Sequence, residues 1–248
     1  MAGFIGKGRI LMGVYDPIQT NRKFFPVGNA EQLKLSVSTE EKTLKNYLDC
    51  SGGDLETLTR VDKVTVSIIL TDFTKLNIES ATYGLAYDTA SASIADEAIR
   101  CYPGYFTPTE HIINTALPVT VSKGAVPLVA GTDYRVSHAG IEILSTSTQV
   151  TGWEDLTIDY TSVAGTIIEA LISSGKEVSI VFEGFNQAAA SGCSKGVAKL
   201  YRMKLSPLKE LSLIGDDFQK LELEGQLLPD QAITGTGLSK YFKWTTEA

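Results

Sequence analysis

The residues of this chain that could do chemistry are few, and their spacing does not suit it. Gly6-Lys7-Gly8 sets a lysine between glycines, but a phosphate-cradling loop needs a Gly-rich turn that runs into Lys-Ser or Lys-Thr. The segment reads as an entry to the first strand. Gly192-Cys193-Ser194 offers two nucleophiles without a surrounding G-x-S-x-G elbow, and Cys193 reads as an unreactive thiol in a small-residue loop. His111 follows Glu110, and His138 stands in an expected hairpin before Gly140; neither has a second histidine at metal-ligand spacing. Asp216-Asp217 reads as a turn or helix start ahead of Phe218, where Asp accepts backbone N–H bonds. The expectation is therefore no catalytic residue, no cofactor, no metal site and no enzymatic activity.

The aromatic residues Phe24, Phe25, Tyr105, Phe106, Tyr241, Phe242 and Trp244 read as core or interface packing. A base-stacking platform would need a Lys/Arg stripe beside it, and none is present. The net charge is −7. An acidic surface repels phosphate, which argues against tight nucleic-acid binding and suits a surface that nucleic acid slides past. The three cysteines, Cys50, Cys101 and Cys193, are far apart and lack CxxC spacing, so reduced thiols are expected rather than a disulfide framework or a zinc site. No stretch approaches the roughly 20 apolar residues of a membrane span, and the start MAGFIGKGRILMG lacks a secretory leader's pattern. A soluble protein made in the cytoplasm is expected. With 43% hydrophobic and 21% charged residues, the chain can build an ordinary core.

The elements that must carry these residues have period two. Leu33 to Ser38, Lys63 to Ile68, Glu177 to Phe182, Lys195 to Leu205 and Leu221 to Glu224 alternate apolar and polar, the mark of half-buried antiparallel strands. In Lys195–Leu205 the alternation puts Val197, Tyr201, Met203 and Leu205 on one face. One helix is expected over Phe73–Tyr83, capped by Asp72 and stopped by Gly84. A short helical turn is expected around Ala92–Ile99, and Ser162–Ser173 is open between helix and strand. Between Tyr105 and Ser162 the sequence turns Thr-, Val- and Gly-rich. It reads as five short strands (119–122, 126–129, 133–137, 141–144 and 156–160). The expected organisation is a main domain formed by 1–104 with 163–248, and an inserted β-rich subdomain over 105–162.

The order of elements then resembles a known family. Gly6-Lys7-Gly8-Arg9-Ile10 is followed by Phe24-Phe25-Pro26-Val27-Gly28-Asn29 and by Leu33-Lys34-Leu35-Ser36-Val37. Ser51-Gly52-Gly53, Arg60-Val61-Asp62-Lys63, an alternating strand and a helix beginning Asp72-Phe73 come next. Near the C-terminus stand Leu200-Tyr201-Arg202-Met203-Lys204-Leu205-Ser206-Pro207, then Ile214-Gly215-Asp216-Asp217-Phe218 and Leu227-Leu228-Pro229-Asp230. These phrases resemble major tail tube proteins of long-tailed bacteriophages over roughly residues 1–100 and 165–248. The resemblance implies an all-β fold: an antiparallel β-sandwich or barrel of the tail tube type with one or two short helices, related to the tubes of type VI secretion systems. It implies a structural virion protein located in the tail and assembled in the bacterial cytoplasm, forming stacked hexameric rings. Its partners would be copies of itself, the tape measure, the terminator, the baseplate or tip, and viral DNA crossing the lumen without specific binding. The middle segment departs from the minimal pattern and would decorate the tube.

Residues 49–62 are too long for a tight hairpin and read as a polar loop. Loops of this length usually carry function, and Asp54, Leu55, Glu56, Leu58 and Arg60 are the candidate contacts between rings. The channel wall is expected to carry more Asp and Glu than Lys and Arg. Two other readings stay open. One is another tail or secretion-tube component, such as a terminator. The other is a carbohydrate-binding or adhesive β-module that uses Tyr105, Phe106, Tyr134, Trp153 and Tyr160, which lie scattered along the sequence.

Overall fold

The structure is a computed structural model and describes residues 5–18, 23–48, 53–188 and 193–247. The chain opens with β1 (Gly6–Val14), β2 (Phe24–Pro26), β3 (Ala30–Lys45), β4 (Asp54–Leu70) and the helix α1 (Lys75–Ala81). Its middle holds β5 (Leu85–Thr89), β6 (Ser93–Cys101), β7 (Phe106–Pro108), β8 (Thr120–Lys123) and β9 (Val126–Pro127). After these come β10 (Tyr134–Ser137), β11 (Gly140–Ile143), β12 (Glu154–Thr161) and β13 (Gly165–Glu169). The last part carries β14 (Glu177–Asn186), β15 (Ser194–Leu205), β16 (Leu221–Leu227) and β17 (Phe242–Thr246). The protein is thus all-β and antiparallel with a short helix, as its period-two patterning implies.

The chain divides into two units. One comprises residues 1–86 and 168–248, the other residues 87–167. The second unit is wider than the expected 105–162 because β6 belongs to it. Residues 93–101 form a strand along β12, with Ile99 opposite Leu156, where the sequence suggested a helical turn over 92–99. Ile99 and Cys101 face the core while Ala98 and Arg100 face out, an alternation that the β12 ladder satisfies, and tertiary pairing overrides the weak helical spacing. The chain leaves the first unit in β5 and returns in β13, and these two strands pair as a separate ribbon.

The first unit is one eight-stranded sheet in the order β2-β1-β14-β15-β16-β4-β3, with β17 added along the N-terminal half of β15. Its edges are β2 and β3, so it is an open sheet and not a closed barrel. Val64, Val66, Ile68 and Leu70 of β4 are buried with Leu221, Leu223 and Leu227 of β16, Ile10 and Met12 of β1, and Leu200, Met203 and Leu205 of β15. Each such side chain contributes roughly 1.5–3 kcal/mol by leaving water. The alternation expected in β15 breaks once. Val178 lies opposite Met203 but Ile180 lies opposite Leu200, so Tyr201 and Arg202 together face Ser179. This β-bulge brings Leu200 and Met203 to the same core face and removes Val197 and Tyr201 from it.

Helix α1 is capped by Thr74, whose hydroxyl accepts from the Asn77 N–H at 3.3 Å. Asp72, the expected cap, is used elsewhere. Its Oδ2 accepts from the Asn29 N–H at 2.9 Å, which ties the start of β3 to the end of β4. Gly28 makes that closure possible. Its φ is +85°, and any β-carbon there would collide with the Asp72 carboxylate. Asn77 is buried and donates to Val27 O at 2.8 Å and Asp72 O at 2.9 Å, so helix, turn and sheet end form one hydrogen-bonded corner.

The second unit has its own core. A four-stranded sheet, β6-β12-β8-β9, and a three-stranded sheet, β10-β11-β7, enclose Ile99, Cys101, Ile113, Val121, Ile141, Ile143, Leu156 and Ile158. Burial pushes the Cys101 thiol's pKa up. Tyr134 and Tyr160 are core residues here, with hydroxyls donating to Val119 O at 2.9 Å and to the Glu97 carboxylate at 2.6 Å. Buried Asp133 accepts from Ser147 Oγ at 2.7 Å and from the Val129 N–H at 2.9 Å.

Two outcomes are expected from these corners. Gly28→Ala should destabilise the first unit by about 2 kcal/mol, because it forces a strained φ and a clash together; chemical denaturation measures this. Burial, and then the hydrogen bond to Glu97, push the Tyr160 hydroxyl up to about 12. An acid whose pKa is raised on folding contributes stability fully present below its unfolded value near 10 and lost as pH rises through the folded one. Stability should therefore fall between about pH 10 and 12, and Tyr160→Phe should flatten that alkaline limb while costing about 1 kcal/mol near neutrality.

Candidate assembly surface

The lysine, histidines, thiol and paired aspartates singled out in the sequence fall on separate elements or connections of the structure. Lys7 and Gly8 lie within β1, paired to Phe185 and Gly184 of β14. Gly8, Gly184 and Gly196 fall opposite one another across β1, β14 and β15. A β-carbon at Gly8 would strike the β14 backbone, and one at Gly184 would strike the Phe182 ring. The glycines of this segment therefore serve close strand approach, not phosphate binding. His138 is exposed in the β10–β11 turn, and His111 is half-buried. Cys193 is exposed, and Cys50 lies outside the described residues. Asp216 and Asp217 are exposed in an irregular segment and start no helix. Among the described residues no group of three or more His, Cys, Asp or Glu is placed to hold a metal. No helix among them is long and apolar enough to cross a membrane.

Asp54, Leu55, Glu56, Leu58 and Arg60 do come together, but not as a loop. They belong to β4, which pairs with β3 from Asp54↔Lys45 through Leu70↔Ala30. Residues 49–52 of the expected loop are outside the described residues; the rest is strand. Thr57 and Thr59 are the missed signal, since alternating β-branched residues favour extended backbone. The inner half of the β4 strand is buried at every second residue up to Leu70, whereas residues 54–61 are exposed throughout, as are 39–45 of β3. At about 3.3 Å per residue, this outer half is an arm roughly 25 Å long.

Strand alternation gives the arm two different faces. One carries Glu40, Lys42, Leu44, Glu56, Leu58 and Arg60, and is laced by a pair between Arg60 and Glu40 at 3.5 Å. Lys45 and Asp54 form a second pair at 2.5 Å near the tip. Exposed pairs of this kind are worth little in stability. The opposite face carries Thr39, Glu41, Thr43, Lys45, Leu55, Thr57, Thr59 and Val61, its charges being Glu41 and, near the tip, Lys45. Leu55 and Leu58 are 57% and 59% exposed and point to opposite faces, so the five candidates do not form a single patch.

A second apolar group lies between β15 and β16. Leu213, Ile214 and Phe218 are exposed in that connection, far more apolar surface than a solvated loop needs. The open side of the sheet is polar instead. Gln32, Lys34, Ser36, Lys63, Thr65, Ser67, Glu222, Glu224 and Gln226 line a concave surface of about 450 Å³, and its two lysines and two glutamates balance. The acidic excess of the chain lies elsewhere. Residues 87–167 contain nine acidic and three basic residues, a net charge of −6 within the total of −7.

A search of the curated proteins finds no match to this sequence. The model of one protein family matches residues 3–245 and so spans both units. The chain belongs to that family, described as Protein of unknown function UCP028589.

Proposed function

We propose that this chain is a structural subunit that assembles with copies of itself into stacked rings of a bacteriophage tail tube. The observation that carries the reading is the arm formed by the outer halves of β3 and β4. A two-stranded ribbon standing alone in water is marginally stable. This one exposes Leu44, Leu55, Leu58 and Val61, and among the described residues the outer edge of β3 has no partner strand. Natural proteins blunt such edges unless a partner covers them. A repeated subunit supplies that partner in every copy, with one surface seated on a different surface of the next, as ring and stack contacts require. The exposed Leu213, Ile214 and Phe218 offer a complementary apolar surface. The number six for the ring follows from the resemblance of residues 1–100 and 165–248 to tail tube proteins.

The same reading assigns the balanced polar face of Gln32, Lys34, Lys63, Glu222 and Glu224 to the channel wall. A wall without a cationic excess makes few phosphate contacts and lets a duplex move without being gripped. On this basis the wall is near neutral rather than acidic. The less charged, threonine-rich face of the arm is the one assigned to the neighbouring subunit, because burying it desolvates fewer charges.

The reading is tested by joining Ser38 to Lys63 through an Asn-Gly turn, which removes the arm and keeps the inner ladder paired. Electron microscopy of the purified wild-type chain should show rings or tubes. The shortened chain should sediment as a monomer with its β-sheet circular dichroism intact. Rings formed equally well without the arm would refute its role, and a wild-type chain that stays monomeric at high concentration would refute the tube.

A further inference from the structure

The unit of residues 87–167 carries a set of aromatic residues outside its core. Tyr102, Pro103, Gly104 and Tyr105 form a tight turn after β6. The Tyr105 N–H donates to Tyr102 O at 3.2 Å, and Gly104 has φ +80°, the pattern of a type II turn with proline and glycine at its centre. Gly104 N–H also donates to Ile143 O at 2.8 Å, which anchors the turn to the core sheet. Glu154, the first residue of β12, pairs with Cys101, so Trp153 arrives beside Tyr102. The Tyr102 ring centroid lies 5.6 Å from that of Tyr105 at 68°, and 5.2 Å from that of Trp153 at 54°. The Arg100 guanidinium sits 5.8 Å above the Trp153 ring. Phe106 and Thr107 of β7 complete a trough of about 610 Å³.

Tyr105 and Trp153 are each 66% exposed. Large rings held in water on a rigid turn, when they contribute nothing to the core, mark a binding surface. The trough has the volume of a small-ligand site, and its rings are inclined to one another, so it is concave. Its rim is polar: two tyrosine hydroxyls, Thr107, and Arg100 with Asp155 at 3.9 Å. This combination suits a ligand with apolar C–H faces and hydroxyl-bearing edges. Charge narrows the class. Aromatic platforms for single-stranded nucleic acid lie in cationic grooves, whereas this unit has a net charge of −6, and Arg100, the cation lining the trough, is partnered by Asp155. Anionic ligands are repelled.

We infer that the trough formed by Arg100, Tyr102, Tyr105, Phe106, Thr107 and Trp153 binds a neutral carbohydrate. Sugar rings stack on Trp153 and Tyr105, and their hydroxyls bond to Arg100, Asp155 and the tyrosine hydroxyls. The turn fixes both tyrosines beforehand, so little ordering cost falls on binding. Two of the five aromatics considered from the sequence, Tyr134 and Tyr160, belong to the core. Tyr105, Phe106 and Trp153 are brought together, and Tyr102 joins them.

Isothermal titration calorimetry of the full chain tests this, with maltopentaose, cellopentaose and chitopentaose as neutral probes and a heparin oligosaccharide and oligothymidine as anionic ones. At least one neutral probe should bind saturably, and the anionic probes should not. Trp153→Ala and Tyr105→Ala should each weaken that binding by about tenfold or more and leave the melting temperature unchanged, since both rings are exposed. The inference is overturned if no neutral probe binds, if both variants bind as the parent does, or if an anionic probe binds best. It is also overturned if Trp153→Ala lowers the sedimentation coefficient of the chain, which would make the patch a contact between copies. Ring formation is read by microscopy, so the tube reading stands or falls separately.

Discussion

Burial of Val64, Val66, Ile68 and Leu70 against β16 and β15 is the interaction on which the rest of the first unit depends. These four side chains hold β4 in register. Through fifteen paired positions β4 holds β3, and through the Asp72–Asn29 bond it holds the turn at Gly28. The same strand runs on past its buried half, so the core is also the root of the arm. A strand anchored by one half cannot shift by a single residue without turning all four core side chains to solvent. The arm therefore leaves the core in one register, although its own outer half makes almost no apolar contact.

That division within one strand separates the side chains that hold the fold from those that lie in water. Substitution at Ile68 or Leu70 acts on the fold at the scale of cavity formation, a few kcal/mol for truncation to alanine. Substitution at Thr57 or Leu58 removes nothing the monomer relies on, because these side chains lie in water. The proposed assembly into rings would draw on this arrangement. Its subunit must stay folded and dissolved alone, yet present surface that gains from burial once a neighbour arrives. The mixed charges on one arm face keep the free ribbon soluble, and the threonine-rich face can be covered at low desolvation cost.

The second unit follows the same logic at smaller scale. Tyr134 and Tyr160 sit inside because each hydroxyl finds an acceptor, which removes the penalty of burying it. Tyr102, Tyr105 and Trp153 stay outside because the Pro103-Gly104 turn and the first residue of β12 hold them at the rim. Aromatic residues of one composition thus divide between core and surface by backbone placement. The charge of this unit then restricts what its exposed rings can meet.

The sequence by itself determined the class of the fold. Alternation at Leu33–Ser38, Lys63–Ile68 and Leu221–Glu224 implies half-buried antiparallel strands, and each is one, because period two is a local property of extended backbone. The turn glycines and short strands of residues 119–160 were legible for the same reason. Tertiary structure alone decided the rest. Residues 54–60 looked like a loop because their Leu and Glu positions do not alternate; they are strand because β3 supplies the ladder bonds. Residues 93–99 took strand form because β12 lies alongside. Val197 and Tyr201 left the core face of β15 because a bulge, which depends on the partner strand, shifts the alternation by one. Tyr102, Tyr105 and Trp153 share a surface because β6 and β12 pair end to start across some fifty residues of chain. Contacts between distant segments leave no trace in local periodicity, and both the arm and the aromatic trough are built from such contacts.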